Sequence, residues 1–245
     1  MIAVNGAEIY FEVHGQGEPL LLLHGYNGTG QSHWEGYRAE LARHFRVVIP
    51  DLRGHGRSLS PPEAFTHRQA ALDMYGLLDF LGVGKFRAMG FSTGGMTLFH
   101  MATQQPARVE AMVPIVSTIY FPQSCRQLMA QNAEPLTPET IAEQGKVHLR
   151  GPEQIRKLHT DFYHMKDSYL DMNFSPPLLS TISARTLIVH GDRDSFFPVE
   201  IALQMYRSIG RSYLWVIPHS GHGLPQYLHQ AFLDTVLPFL DGQWD

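Results

Sequence analysis

GFSTGG, residues 90–95, follows the short apolar run FRAM (86–89) and leads into MTLFHMATQQ (96–105). A tight turn between a strand and a helix needs a glycine, but it does not need a serine set between two of them. Gly90-Phe91-Ser92-Thr93-Gly94 has the G-x-S-x-G spacing of a nucleophile elbow. In that motif, small residues let strand and helix pack closely around a sharp turn that projects the serine hydroxyl at the carboxyl end of a sheet. The helix that follows turns its positive dipole end toward developing negative charge. Glycine and serine are common, so the pentapeptide alone says little. Its place between an apolar strand and a helical pattern gives it weight.

Working outward, the chain alternates strand-like and helix-like segments. LLLLH (20–24), RVVIP (46–50), FRAMGF (86–91), VEAMVPIV (109–116), RTLIVH (185–190) and SYLWVI (212–217) are apolar runs of strand length. Continuous apolar runs suit parallel strands buried on both faces. Between them lie helical patterns at 32–44, 66–82, 93–105, 198–209 and 225–240. The alternation predicts an α/β fold with a mostly parallel central sheet of about eight strands, covered by helices on both sides. MIAV (1–4) and EIYFEV (8–13) are expected as an antiparallel edge.

Residues 120–183 break the rhythm, holding helical pieces at 124–133, 137–147 and 152–165 and no convincing strand. TPET (137–140) offers an N-cap threonine, a proline at the first helical position and an acidic first turn. This divides the chain into a core (1–119 and 184–245) and a helical cap (120–183) over the carboxyl edge of the sheet.

A serine hydroxyl becomes a nucleophile only when a base takes its proton. HSGHG (219–223) follows the last strand and offers His219 and His222. The flanking glycines favour His222 as an imidazole free to turn. An acid must fix that imidazole's tautomer. HGDRDSFFP (190–198) offers Asp192 and Asp194, while the stretch after VEAMVPIV has no carboxylate before Glu134. An oxyanion needs two backbone N–H donors. One is Thr93, directly after the serine. The other belongs to the glycine-rich loop HGYNGTG (24–30), which lacks the nucleotide-binding spacings.

Composition narrows the field. Of 245 residues, 44% are hydrophobic and 17% charged, and the net charge is −4, without a basic stripe for nucleic acid. No apolar run approaches the roughly 20 residues of a membrane helix, and the first residues do not read as a secretory signal. The single cysteine, Cys125, suits a reducing compartment, so a cytoplasmic location is expected. Cys125 reads as a small buried residue and not as a nucleophile. HTDFYH (159–164) has poor spacing for metal ligation, and neither a metal nor an organic cofactor is expected.

Together, LLLLHGYNGTG, VVIPDLRGHGRS, MGFSTGG, TLIVHGDRDSFFP and IPHSGHG resemble the α/β-hydrolase superfamily, in its order and over essentially the whole chain. GFSTGG is similar to the elbow of cofactor-free haloperoxidase and perhydrolase esterases. The HGYNGTG loop and the cap also resemble enol-lactone hydrolases and carbon–carbon bond hydrolases. The resemblance implies a Ser92–His222–Asp194 triad, with backbone N–H groups of Tyr26 and Thr93 as the oxyanion hole. Asp51, Arg53 and His55 would then be scaffold. Phe91 stands where many relatives carry histidine, and with Phe162, Tyr163 and Met165 it is expected to bind substrate. The implied activity is hydrolysis of a small to medium ester with an apolar or aryl group. Lactonase, carbon–carbon bond hydrolase and a slow small-molecule receptor are the alternatives. The expected partner is a small ester or lactone, with no nucleic acid or membrane, and no oligomeric state is indicated.

Overall fold

A computed structural model describes residues 1–244. The central sheet has seven strands: β3 (Phe11–His14), β4 (Pro19–Leu23), β5 (Arg46–Pro50), β6 (Phe86–Phe91), β7 (Val109–Ile115), β8 (Arg185–Gly191) and β9 (Ser212–Ile217). Their spatial order is β3-β5-β4-β6-β7-β8-β9, with only β3 antiparallel to its neighbour. β1 (Ile2–Val4) and β2 (Ala7–Ile9) pair separately as an antiparallel hairpin. The expected eight-stranded sheet is thus seven strands plus a hairpin, because EIYFEV is interrupted at Tyr10. Tyr10 N–H donates to Ser58 Oγ at 2.9 Å instead of a sheet partner, so 8–13 contributes to two sheets.

PLLLL shows why the middle of the sheet is fixed. Successive strand side chains point to opposite faces. Leu21 and Leu23 enter one buried cluster, with α2 (His67–Phe80), α3 (Thr93–Gln104) and α8 (Val199–Ser208). Leu20 and Leu22 enter the other, with α1 (Gly30–His44) and α9 (His229–Leu240). All four leucines are fully buried, each contributing about 2 kcal/mol of apolar burial. The chain therefore cannot slip by one residue without exchanging its faces.

α4 (Gln123–Ala130), α5 (Pro138–Gln144), α6 (Pro152–His164) and α7 (Pro176–Leu179) lie between β7 and β8. Thr137 caps α5 through Thr140 N–H, with Pro138 and Glu139 in its first turn. The stretch holding α4, α5 and α6 is closed at its base by a bridge between Tyr120 and Asn173, and Phe174 N–H donates to the Ile119 carbonyl at 3.0 Å. α7 sits beside α8.

A few polar links hold the helices down on the core. Tyr26 Oη donates to the Leu158 carbonyl at 2.9 Å, and Gly56 N–H donates to His148 Nδ1 at 3.0 Å. Gln154 Nε2 donates to the carbonyls of Gly54 and Gly56. The densest link is Asp171. Its carboxylate accepts His67 N–H (2.8 Å), the His67 ring (2.7 Å) and Arg68 N–H (3.0 Å) at the start of α2. The Asp171 carbonyl accepts from His100 Nε2 at 2.7 Å. These contacts hold the Asp171 carboxyl far below the usual carboxylate range.

Candidate active site

The turn from β6 into α3 carries Ser92 at φ 49° and ψ −111°, a backbone conformation that L-residues rarely adopt. Close packing around it imposes the glycines. A Cβ on Gly94 would stand 2.5 Å from the Leu23 carbonyl oxygen, and one on Gly90 would strike the Gly94 backbone. The strand and helix meet at a distance only glycine permits. Ser92 N–H donates to the Ile115 carbonyl at 2.8 Å, and Ser117 Oγ donates to the Ser92 carbonyl at 3.0 Å. The turn is therefore tied to the end of β7 and to the residues just after it.

Three side chains from three loops meet here. His222 Nε2 lies 3.0 Å from Ser92 Oγ, and His222 Nδ1 lies 2.8 Å from Asp194 Oδ2. The other carboxylate oxygen of Asp194 accepts Phe196 N–H (2.8 Å) and Phe197 N–H (3.1 Å). Two amides therefore orient Asp194 while its free oxygen faces His222, which fixes Nδ1 as the donor and leaves Nε2 to accept from Ser92. The rings of Phe196 and Phe197, centred 4.8 and 5.3 Å from the imidazole, confine it.

The two residues weighed against these go elsewhere. His219 is exposed, on a left-handed backbone. Asp192 Oδ1 accepts Ser220 N–H at 3.2 Å and braces the loop that carries His222.

Tyr26 and Thr93 line the same cavity as Ser92. Among the described residues, no protein acceptor takes the N–H of either one. Free amide donors on residues that line the cavity with Ser92 are the kind of group a developing oxyanion requires. The loop that presents Tyr26 rests on scaffold. His24 Nε2 accepts Leu52 N–H at 2.8 Å, and the Asp51 carboxylate accepts Gly30 N–H and Arg57 N–H, both at 2.9 Å. Arg53 is locked to Asp73, with Nε 2.6 Å from Oδ2. The His55 ring meets the Tyr26 ring edge to face at 4.9 Å. Burial drives the His55 imidazole down to about 3.

The cavity is about 260 Å³. Phe91, Phe162 and Met165, three of the four residues expected to bind substrate, line it. Tyr163 does not. On α6 it falls one residue past Phe162, about 100° round the helix, and its ring lies 4.3 Å from Lys166 Nζ. Periodicity along α6 could have separated the two. Phe121 and Met129, two of the apolar cap residues from which the sequence offers a pocket lining, also face the cavity, whereas the sequence reading missed Met96, Phe196 and Phe197. It also missed Asn27 and His33 on the polar side of the cavity. Cys125 lines the wall, buried, with its thiol pushed up to about 12 by burial, as an inert small residue. His159 Nε2 is hydrogen-bonded to the Glu134 carbonyl. Among the described residues, no helix is long and apolar enough to cross a membrane.

Known proteins share this architecture. The 2-hydroxy-6-oxo-6-(2'-aminophenyl)hexa-2,4-dienoic acid hydrolase of Metapseudomonas resinovorans is 23% identical, over 100% of this chain and 91% of its own. A solved meta-cleavage product hydrolase from Pseudomonas fluorescens IP01 superposes with a TM-score of 0.80 at 22% identity, covering 97% of this chain and 96% of its own. A thermophilic esterase from Thermogutta terrifontis superposes with a TM-score of 0.73 at 28% identity, with coverage of 97% and 96%. Residues 18–149 match the family described by the alpha/beta hydrolase fold. With more than half of its length inside that match, and with this sheet order and elbow, the chain belongs to the α/β-hydrolase family.

Proposed function

We propose that the protein is a serine hydrolase that cleaves an uncharged carboxylic ester through an acyl-enzyme. The observation that carries this reading is the continuous relay from Asp194 through His222 to Ser92, at 2.8 and 3.0 Å, opening into an apolar cavity.

In this reading Ser92 Oγ attacks the ester carbonyl carbon while its proton passes to His222 Nε2. The carbonyl oxygen becomes an oxyanion between the N–H groups of Tyr26 and Thr93. Each such donor is worth about 10²–10³ in rate. Asp194 stabilises the imidazolium without taking its proton. The tetrahedral intermediate collapses as His222 hands that proton to the leaving alkoxide, which departs as the alcohol. A water molecule, deprotonated by His222, then attacks the acyl carbon and restores the Ser92 hydroxyl. Phe121, Phe162, Met129 and Met165 contribute the apolar surface that takes up the acyl chain.

The wall also favours a neutral substrate. Among the described residues, its lining holds no Lys or Arg. A dienoate brings a carboxylate, and burying that charge without a cation costs several kcal/mol. This separates the proposal from the activity named for the Metapseudomonas relative. A lactone is a neutral cyclic ester and fits the same chemistry.

The test is hydrolysis of p-nitrophenyl acetate, butanoate and octanoate, beside a lactone and a 2-hydroxy-6-oxo-dienoate. Multiple turnovers on the esters, lost in Ser92→Ala, are expected. Turnover of the dienoate alone would overturn the ester reading.

A further inference from the structure

We propose that His33 is a specificity-determining residue, whose Nε2 accepts a hydrogen bond from a hydroxyl on the acyl part of the substrate. The proposal rests on the ester reading above and deepens it.

His33 lies in the first turns of α1, directly behind the loop that presents Tyr26. Its ring occupies the space beside Gly28, where a Cβ would strike it, and Nε2 lies 3.1 Å from the point a Cβ on Gly25 would reach. The imidazole therefore lies along the oxyanion loop, and it also lines the cavity. Its tautomer follows from its neighbours. Ser32 Oγ donates to the Thr29 carbonyl and so faces His33 Nδ1, 3.3 Å away, as an acceptor. With the Ser32 hydroxyl proton on the Thr29 carbonyl, Nδ1 carries the ring proton and Nε2 presents a lone pair. Burial keeps the ring neutral, driving it down to about 4. Among the described residues, no protein donor reaches Nε2.

An acceptor in a wall of phenylalanine and methionine is costly unless something donates to it. His33 is half-buried and lines the cavity, so a hydroxyl of a bound substrate can take the place of water as the donor to Nε2. Position assigns it to the acyl side. His222 must stand beside the leaving oxygen to protonate it. His33, on α1, and His222, on the loop after β9, both meet the Phe91 ring, with centroid distances of 5.0 Å from Phe91 to His33 and 6.0 Å from Phe91 to His222. The oxyanion loop beneath His33 holds the carbonyl oxygen. A hydroxyl one or two carbons from that carbonyl is the donor the geometry suits. Such a group needs no charge, in keeping with the uncharged lining.

The experiment compares kcat/KM of the wild type on p-nitrophenyl butanoate with that on the 2-hydroxy and 3-hydroxy esters and their methoxy counterparts, each enantiomer separately. One hydroxy ester is expected to exceed butanoate by about tenfold, the value of one well-placed hydrogen bond, and its methoxy counterpart is not. His33→Phe keeps a ring beside Gly28 and removes the acceptor, so the hydroxy-to-plain ratio should fall to about one. His33→Gln, which restores an acceptor, should recover part of it. Equal rates on hydroxy and plain esters, or an equal gain from methoxy, would overturn the proposal and leave the esterase standing. The methoxy comparison needs no variant, so misfolding of His33→Phe would not rescue the idea. Failure to turn over butanoate at all would remove the ester reading, and this proposal with it.

Discussion

The turn around Ser92 and the helical segment above it are held by opposite means. At the turn, backbone meets backbone: Gly90 against Gly94, Gly94 against Leu23, Ser92 against Ile115. Over the cavity, loosely specified Phe and Met side chains do the packing, and the segment is fastened by a few polar links, Asp171 chief among them. Placement of the reacting atoms has no tolerance, whereas the wall that meets the substrate can re-pack around methionines. The chemistry is thus built rigidly and the selectivity softly.

Substitutions on the two sides should differ in kind. The largest effect falls on the rigid side: Ser92→Ala should lower kcat on p-nitrophenyl butanoate by at least about 10⁴-fold while the protein stays folded. Gly94→Ala drives a methyl into the Leu23 carbonyl and should cost about 3 kcal/mol or prevent folding, read as a drop in Tm or in soluble yield. A drop of less than about 1 kcal/mol would show that the elbow yields more than its geometry implies.

Acid should loosen both regions together. His100 and His148, both buried, and the half-buried His33 are held down to about 4, and His55 to about 3. In the unfolded chain they take up protons near 6.5. Between those values the unfolded state binds more protons than the folded one, so stability rises with pH. It is complete above about pH 6.5 and is lost as pH falls toward 4. The urea midpoint should be flat above neutrality and decline through that window. A midpoint unchanged down to pH 4.5 would contradict the buried neutral imidazoles.

On the soft side, Asp171→Asn weakens a charge-assisted cluster and should cost about 1–2 kcal/mol, with KM rising a few-fold and kcat nearly kept. A fall in kcat with KM fixed would mean that the helical segment positions the reacting groups after all. Smallest of all, Tyr163→Ala should change kcat/KM by less than about twofold, since the ring lies outside the cavity.

The same contrast decides what could be read from sequence. The elbow, the loops bearing Asp194 and His222, and the strands that aim them announce themselves, because rigid backbone geometry demands particular residues at particular spacings. Asp194 was separable from Asp192 only through family resemblance. The structure adds the reason, since the two amides that orient its carboxylate follow directly in the chain at Phe196 and Phe197. The split of EIYFEV at Tyr10 was hidden because it depends on Ser58, 48 residues away. Met96 was hidden, and Phe121 and Met129 could not be sorted from the other apolar residues of the cap, because an apolar side chain lining a cavity is written like one filling a core. His33 was one of fourteen histidines, and only its place against Gly25 and Gly28 singles it out.

The left-handed backbone at Ser92 has a consequence of its own. Alanine at 92 would keep the strain and lose the hydroxyl, but glycine would lose both. Ser92→Gly should therefore give an inert protein that resists heat better than the working one. Selection for durability alone would erode this position first, so the serine persists only under selection for turnover.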